Sequence, residues 1–496
     1  MKFERMVFWI TILLIYAMAT RISIDSDTWW HLRAGQWMIE NHQLLTKDFF
    51  SLTRYGAEWR YPGWMVEIPM ASIVWFFGLG GLNILTGVMI ATAFGFIYRI
   101  TVGPPLARAF LLILAATVNG VYWSARPHLV TILLAAVFLY TLEKAAQKGF
   151  ANFRIALWTI LPILMFCWVN SHGGFIVGFV LYGIYFVELI LEKLIQTYRE
   201  RQPQYKAFRN KDFYTMAISG LGMILVAMIN PLGYQIFLYP FRTVSIRILG
   251  QYIEEWQSPN FHNLSVQPFI WLLILLLWVL AFSHKKWLLR DALLISFFLY
   301  LALMAGRNIA LFALVAPLSI SRLFSGTEMV DLSTLLRKNK SILQQGQEVK
   351  ERPKLNLLII GFVLIACIYR SYAVYPNFVL QEEFDKLYPV NAVEFIKSNS
   401  LEGNLFNSYN WGGYLLWYLP EYPVFVDGRT DLYDDEILEQ WFQVAQLKDD
   451  WQTVINQWQI RIILMEKDWL MAKHLQQNGW CLRYHDEVAL VFVSCP

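Results

Sequence analysis

The chain predicts a mainly helical, multi-pass membrane protein that ends in an α/β domain on the outer side, and three observations carry that prediction. Apolar residues make up 57% of its 496 residues and charged ones only 16%, with a mean hydropathy of +0.41, where a soluble domain carries about 25% charge. The apolar residues fall into windows of about 20, long enough to cross a bilayer as helices. From residue 373 onward, short β-branched runs alternate with amphipathic ones instead. The same composition excludes disorder, collagen and a disulfide scaffold. A net charge of +4, spread over short loops, offers no basic face, so no nucleic acid partner is expected.

Eleven spans are expected, near 6–24, 82–100, 106–123, 128–145, 155–170, 174–194, 213–231, 266–283, 289–304, 308–323 and 355–372. Lys and Arg collect in 144–154, in 199–211, at Lys285 and Lys286, and in 337–354, and such loops are cytoplasmic by the positive-inside rule. They alternate with the spans so as to put the N-terminus inside and the C-terminal part outside. Segment 64–77 would invert every later loop if it crossed. Its Trp64, Glu67, Pro69, Trp75 and Phe76 suit a helix lying at the outer interface, within a first outer loop of 25–81. Residues 6–24 run into polar sequence without a small-residue cleavage pattern and read as a span rather than a signal peptide. The expected division is a membrane domain over 1–372 and an extracytoplasmic α/β domain over 373–496.

Within the latter, 387–398 reads as an amphipathic helix, 404–407 and 424–427 as strands, and 434–447 as a helix. Residues 460–465 read as a β-branched strand, and 481–484 with 488–493 as a closing hairpin. The Gln- and Lys-rich stretch 338–353 reads as a linker. Cys167 and Cys367 lie in apolar runs, where a thiol packs as a small hydrophobe. Cys481 and Cys495 can pair only if their end of the chain faces an oxidising compartment.

With this topology, polar groups far apart in sequence converge on the outer face. Asp25 and Asp27, after the first span, either hold a divalent cation or act as a base toward an incoming hydroxyl or amide, or Asp27-Thr28 merely caps the aromatic helix that follows. In Ser124-Ala125-Arg126-Pro127-His128, Arg126 either grips a phosphate with its planar fork or snorkels to headgroups. His172, in a tight hairpin, reads as a hydrogen-bonded filler. Glu254-Glu255-Trp256 and Gly306-Arg307-Asn308 complete the set. An arginine at the membrane surface requires an anionic partner, either a lipid pyrophosphate or a nearby carboxylate. No Gly-Lys-Ser/Thr run, Gly-rich fingerprint or His-Glu-x-x-His occurs, so ATP-driven transport, nicotinamide chemistry and zincin proteolysis lack support.

Taken in order, these residues resemble the GT-C superfamily of membrane glycosyltransferases, above all the catalytic subunit of oligosaccharyltransferases. Asp27-Thr28-Trp29-Trp30-His31-Leu32-Arg33 is similar to the family's Asp-Pro-Trp-Phe-Asn-Phe/Tyr-Arg element, and Tyr61-Pro62-Gly63-Trp64 to the start of its outer-loop helix. Glu255-Trp256-Gln257-Ser258-Pro259 resembles its mobile outer loop, and 304–317 resembles the span whose Arg contacts the lipid-linked pyrophosphate. Asn410-Trp411-Gly412-Gly413-Tyr414 with Val426-Asp427-Gly428-Arg429-Thr430 resembles the Trp-Trp-Asp-Tyr-Gly element and the segment behind it. The resemblance implies a polyprenyl-phosphate-linked sugar as donor, drawn from the membrane lipid phase, and a glycan, lipid or protein as acceptor, at the outer face of a bacterial plasma membrane. It implies Asp27 as the catalytic carboxylate, a general base toward the acceptor, with Asp25 and Glu255 as further catalytic candidates. Arg307, Arg126 and His128 would bind the donor phosphate. Asn410, Trp411, Tyr414, Asp427 and Arg429 would contact the acceptor, and Asp25 and Asp27 would hold Mg2+ or Mn2+.

Two departures qualify this expectation. Where the family has a second acidic pair, the chain has Ser124 to His128, which removes metal ligands and adds a positive charge. Gly412 or Gly413 replaces the Asp that recognises an Asn sequon, so transfer to Asn in proteins is not expected. What remains is an inverting transfer of sugar to an envelope acceptor. The alternative is a catalytically silent scaffold that binds polyprenyl lipid or serves envelope assembly. A transporter fits less well, since its coupling charges belong near the bilayer midplane, whereas nearly all the polar residues here are expected at the outer boundary.

Overall fold

The computed structural model describes residues 1–199, 211–325, 352–448, 450–468 and 470–495. It opens with α1 (Phe3–Ala19), then α2 (Ser26–Asn41) and α3 (Trp64–Phe77), followed by α4 (Gly80–Tyr98), α5 (Pro105–Asn119) and α6 (His128–Lys148). Next come α7 (Leu161–Val169), α8 (Ile176–Arg199), α9 (Lys211–Ala227) and the short α10 (Tyr239–Ser245) and α11 (Arg247–Tyr252). The helices α12 (Gln267–Phe282), α13 (Leu289–Met304), α14 (Ile309–Phe324) and α15 (Pro353–Ala373) follow. A helix thus stands at each of the eleven expected spans. Six of the described helices are long and apolar enough to cross a membrane: α4, α5 with its extension to Tyr122, α6, α8, α14 and α15. Helix α3 has the expected bounds, with Trp75, Phe76 and Phe77 exposed along it. The linker 338–353, apart from its last two residues, and most of the basic segments 199–211 and 337–354 lie outside the described residues.

Two apolar cores hold the molecule. The first is the helical bundle, with α14 at its axis: every residue from Ile309 to Ser321 is buried, the position forced on a helix that is apolar all round. An ionic network crosses this bundle. Arg322 pairs with Glu143 and, at 2.7 Å, with Asp291. Arg290 reaches Glu188 at 2.7 Å and Glu143 at 3.4 Å, and the Tyr185 hydroxyl donates to Glu143 at 2.9 Å. This is a second polar group, at the ends of α6 and α14 opposite to those beside Arg126 and Arg307. These charges come from four helices, and each is held inside by the others because an unpaired buried charge is too costly.

The second core joins two parts of the chain more than 300 residues apart: Trp29, Trp30, Leu32, Met38 and Met70 from α2 and α3 pack with Leu405, Phe425, Val426 and Ile463 from the C-terminal part. That part runs α16 (Asn377–Leu387), α17 (Val390–Asn399), β1 (Asn404–Asn407), α18 (Gly412–Tyr418), α19 (Thr430–Ala445), α20 (Trp451–Gln457), β2 (Ile460–Glu466), α21 (Leu470–Leu475), β3 (Trp480–His485) and β4 (Ala489–Ser494). The sheet order is β1-β2-β4-β3, with β1 parallel to β2 and the other pairs antiparallel.

Three expectations are corrected. The helix expected at 387–398 begins only at Val390, because the residue before Pro389 leaves the helical region and ends the preceding helix α16 at Leu387. The helix expected at 434–447 begins at Thr430 and kinks at Asp434. Residues 424–427 form no strand beyond a bridge from Val424 to Ser51. The Asn407 side chain takes their backbone groups instead, accepting from Phe425 N at 2.7 Å and donating to Val426 O at 2.9 Å.

Cys481 and Cys495 form a disulfide across the β3–β4 hairpin, while Cys167 and Cys367 are free thiols. A bridge across 14 residues stabilises by about 3 kcal/mol in the chain-entropy account. Cys481→Ser is therefore expected to lower the denaturant stability of the sheet region by about that amount. Equal midpoints for the variant and the wild type would refute it.

Candidate active site

Between α1 and α2 the chain is extended, and Asp25 ends that stretch by capping α2, its carboxylate accepting from Asp27 N at 2.9 Å. The capping expected of Asp27 is thus done by Asp25, which leaves the Asp27 side chain to turn elsewhere. Asp27 Oδ1 accepts from Trp30 Nε1 at 3.1 Å, one helical turn on, and Oδ2 accepts from Arg126 Nη1 at 2.8 Å. The turn that carries Arg126 is pinned to α2: Ala125 N donates to Ser23 Oγ at 2.8 Å, and Thr28 Oγ1 donates to Ala125 O at 3.0 Å.

Arg126 pairs with three carboxylates at once, through Nε to Asp25 at 3.1 Å, Nη1 to Asp27 at 2.8 Å and Nη2 to Glu255 at 3.3 Å. Glu255 also pairs with Arg307 at 3.5 Å, and the Arg307 guanidinium lies 4.3 Å over the Trp256 ring. Gly306 N, which donates to Gln257 O at 2.9 Å, binds the two turns together. The structure therefore brings Asp25, Asp27, Arg126, Glu255 and Arg307 into one cluster. It does not leave Arg126 free to grip a phosphate, because all three of its nitrogens face carboxylates. His128 is not free either: its Nε2 donates to the Tyr122 carbonyl, and its ring is largely buried. Arg307, with 30% of its side chain exposed, is the guanidinium of the cluster that remains open to a ligand.

Burial pushes the Asp27 carboxyl up to about 6; Arg126 opposes the rise, and the neighbouring Asp25 and Glu255 add to it. Burial acts upward on Glu255 too, but Arg307 and Arg126 more than offset it and hold that carboxyl below its ordinary value. Arg126 is driven up by its three carboxylates against the opposing effect of burial. The cluster thus separates two acids, one poised near neutrality and one firmly ionised, which is the pattern of a site with assigned acid and base.

The acceptor residues expected in the C-terminal part are largely corrected. Trp411 and Tyr414 are buried, Trp411 Nε1 donating to Leu387 O at 3.0 Å and Tyr414 stacking on Tyr388 at 4.7 Å. Asp427 and Arg429 are 0% and 1% exposed. Arg429 bonds Asp427 at 2.7 Å and, across to the segment between α2 and α3, Asp48 at 2.6 Å. Only Asn410 of the five is exposed. These motifs are docking surfaces. A Cβ on Gly413 would meet Ser26 O at 2.3 Å, and one on Gly428 would meet Asp27 Oδ1 at 1.9 Å. Gly428→Ala therefore meets the end of a side chain rather than backbone, so the fold can accommodate it by displacing Asp27. We expect an unfolding midpoint near that of the wild type and a rate at least about ten-fold lower, since misplacing a reacting group by about 1 Å can cost 10²-fold. Unchanged turnover would show that Gly428 does not position Asp27.

Sequence reasoning missed a buried pair beside this cluster, His31 Nδ1 and Glu67 Oε1 at 2.8 Å. Burial pushes the Glu67 carboxyl well up and the His31 ring well down, so the pair is held neutral, with Glu67 donating. The signals were a lone acid in apolar α3 and a histidine one turn beyond Asp27. His172 is the filler expected, accepting from Thr131 Oγ1 at 2.9 Å and Gly174 N at 3.0 Å.

The donors expected for Mg2+ or Mn2+ do not fit a metal as they stand. Asp25, Asp27 and Glu255 turn their oxygens on the Arg126 guanidinium, and among the described residues no group of three or more His, Cys, Asp and Glu side chains is arranged to hold a metal ion.

No family model matches the chain, and no curated protein matches it either. Solved structures do. The Archaeoglobus fulgidus oligosaccharyltransferase in its apo form is similar with a TM-score of 0.55 and 12% identity, over 94% of this chain and 69% of that one. The same organism's oligosaccharyltransferase AglB, in complex with an inhibitory peptide and a dolichol-phosphate, is similar with a TM-score of 0.51 and 12% identity, over 98% and 74%. Tethered to an acceptor peptide containing the NVT sequon, the enzyme gives 0.54 and 13%, over 98% and 74%. At such identities the likeness is one of fold. A helical bundle with an acid-bearing helix after its first helix, closed by a small C-terminal sheet, gives this chain the GT-C-like fold of the membrane oligosaccharyltransferases.

Proposed function

We propose that the protein is an inverting membrane glycosyltransferase that moves a sugar from a polyprenyl-phosphate or polyprenyl-pyrophosphate donor to an envelope acceptor on the outer face of the membrane. The observation that carries this reading is Asp27: a carboxylate a quarter exposed, held between Trp30 and Arg126, poised near neutrality, and joined through Arg126 and Glu255 to the open Arg307. The acceptor hydroxyl gives its proton to Asp27 while its oxygen attacks the anomeric carbon. The bond from that carbon to the donor phosphate breaks, and the leaving phosphate carries its growing charge toward Arg307. Stabilising charge that develops in the transition state is what accelerates such a step. Each Asp27 oxygen is engaged once and keeps a lone pair for the proton. The solved AglB complex with dolichol-phosphate supports a polyprenyl phosphate as the lipid, and the Cys481–Cys495 bridge supports an oxidising, extracytoplasmic setting for the sheet, in a plasma membrane of bacterial type.

The test is transfer by the purified protein in lipid nanodiscs from polyprenyl-phosphate sugars, with products followed by mass spectrometry. Arg307→Ala is expected to weaken donor use by about 10- to 100-fold, as loss of a charged hydrogen bond does, mainly in KM. Turnover by the variant at wild-type KM would remove Arg307 from the donor site. One observation favours a second reading, a silent lipid-binding scaffold: the charge of Arg126 is consumed by its own carboxylates. Donor binding without turnover of any acceptor would select it.

A further inference from the structure

We infer that the Arg126 guanidinium stands where a divalent cation would otherwise sit, as a built-in positive centre that organises Asp25, Asp27 and Glu255 and keeps metal out. The ion pairs stand without the transferase reading; only their catalytic consequence, the positioning of Asp27, rests on it. Carboxylates that come from residues 25, 27 and 255 surround one positive centre, as carboxylates surround a hard cation, but each faces a different nitrogen of it. That centre is a planar fork whose three nitrogens meet them at 3.1, 2.8 and 3.3 Å. The fork is not a mobile visitor. Its turn is anchored by Ala125 N on Ser23 Oγ, by Thr28 Oγ1 on Ala125 O and by Arg126 N on Ser124 O, and only 15% of its side chain is exposed.

Two properties follow from the exchange of a metal for an arginine. A guanidinium keeps its proton at any working pH, so the positive centre cannot be chelated or diluted away. It also repels a divalent ion from the oxygens it holds. Without it, three carboxylates would stand near one another unneutralised, and Mn2+, which prefers oxygen donors, is a charge that could draw them together. Arg126 is thus a positioning residue that fixes the orientation of Asp27, and its removal should turn a metal-free cluster into a metal-binding one.

The experiment is Mn2+ binding by electron paramagnetic resonance on the full chain in phosphatidylcholine nanodiscs, with no donor or acceptor present. Wild type and Asp27→Asn are expected to bind Mn2+ equally weakly. Arg126→Ala should bind it at least ten-fold more tightly, and Arg126→Ala combined with Asp27→Asn should lose that gain. Saturable binding by the wild type that Asp27→Asn abolishes would overturn the inference, as would an Arg126→Ala variant that keeps the wild-type unfolding midpoint and gains nothing. If that variant does not fold, the comparison of wild type with Asp27→Asn decides alone: equal binding supports the inference and unequal binding overturns it. The measurement involves no sugar transfer, so a failure of the transferase reading appears in the nanodisc transfer assay and leaves this result standing.

Discussion

Asp27→Asn lowers sugar transfer by about 10² to 10⁴, the range expected when a general base is lost, while donor KM changes little. The substitution is nearly isosteric, but an amide cannot satisfy both neighbours. If its oxygen faces Arg126 Nη1, its NH2 faces Trp30 Nε1, and two donors are opposed; the flipped rotamer moves the conflict to Arg126. Neither orientation accepts the acceptor's proton. The pH profile gives an independent check. With the carboxyl pushed up to about 6, Asp27 is protonated and inactive as a base below that pH, so wild-type kcat/KM rises through about 6 and then levels off. The residual rate of Asp27→Asn lacks that limb. Full activity in the variant, or an identical acidic limb in both proteins, would remove Asp27 from the base role.

Arg429→Ala destabilises the protein by about 3 to 5 kcal/mol, the cost of breaking a buried ion pair by removing one partner. Asp48 and Asp427 are both 0% exposed, and without the guanidinium only hydroxyl and backbone donors remain: Tyr433 to Asp427 at 2.7 Å, and Ser51 to Asp48. Arg429→Lys recovers little, since an ammonium cannot serve both acids as the fork does. Denaturant unfolding in detergent measures the loss. A variant of wild-type stability whose acceptor KM rises instead would restore these residues to the acceptor site and refute the docking role assigned here.

The helices were legible because apolar windows are long and local, and the short motifs because sidedness carries information: with the spans placed, residues 25, 126, 255 and 307 fall at one end. What those residues do to one another was not legible. Arg126 reaches Asp27 across 99 positions and Glu255 across 129, and no local spacing encodes such pairings. The same limit misled the reading of Asp427 and Arg429. Two charged residues flanking a glycine look like a ligand-facing loop, and only Asp48, 381 positions away, reveals a salt bridge sealed in the second core. Residues 424–427 look like a strand because Val424, Phe425 and Val426 are β-branched or aromatic, yet the Asn407 side chain takes backbone hydrogen bonds of Phe425 and Val426. The network around Glu143 and Arg322 was hidden for a further reason: charges near helix ends look cytoplasmic until the helices are packed.

The second core has a consequence for how the protein is made. Its two contributors, α2 with α3 and the C-terminal sheet region, lie at opposite ends of the chain. Contacts so distant in sequence form late, because loop closure must precede them. During synthesis, Trp29, Trp30 and Leu32 therefore emerge hundreds of residues before the surfaces that cover them, and Asp27 lacks its neighbour Gly428 for as long. The ion pairs around Arg126 draw only on residues 25 to 307, but the close approach of Gly428 to Asp27 exists only once the last part of the chain has docked, so a truncated product would carry the cluster without the wall behind its acid.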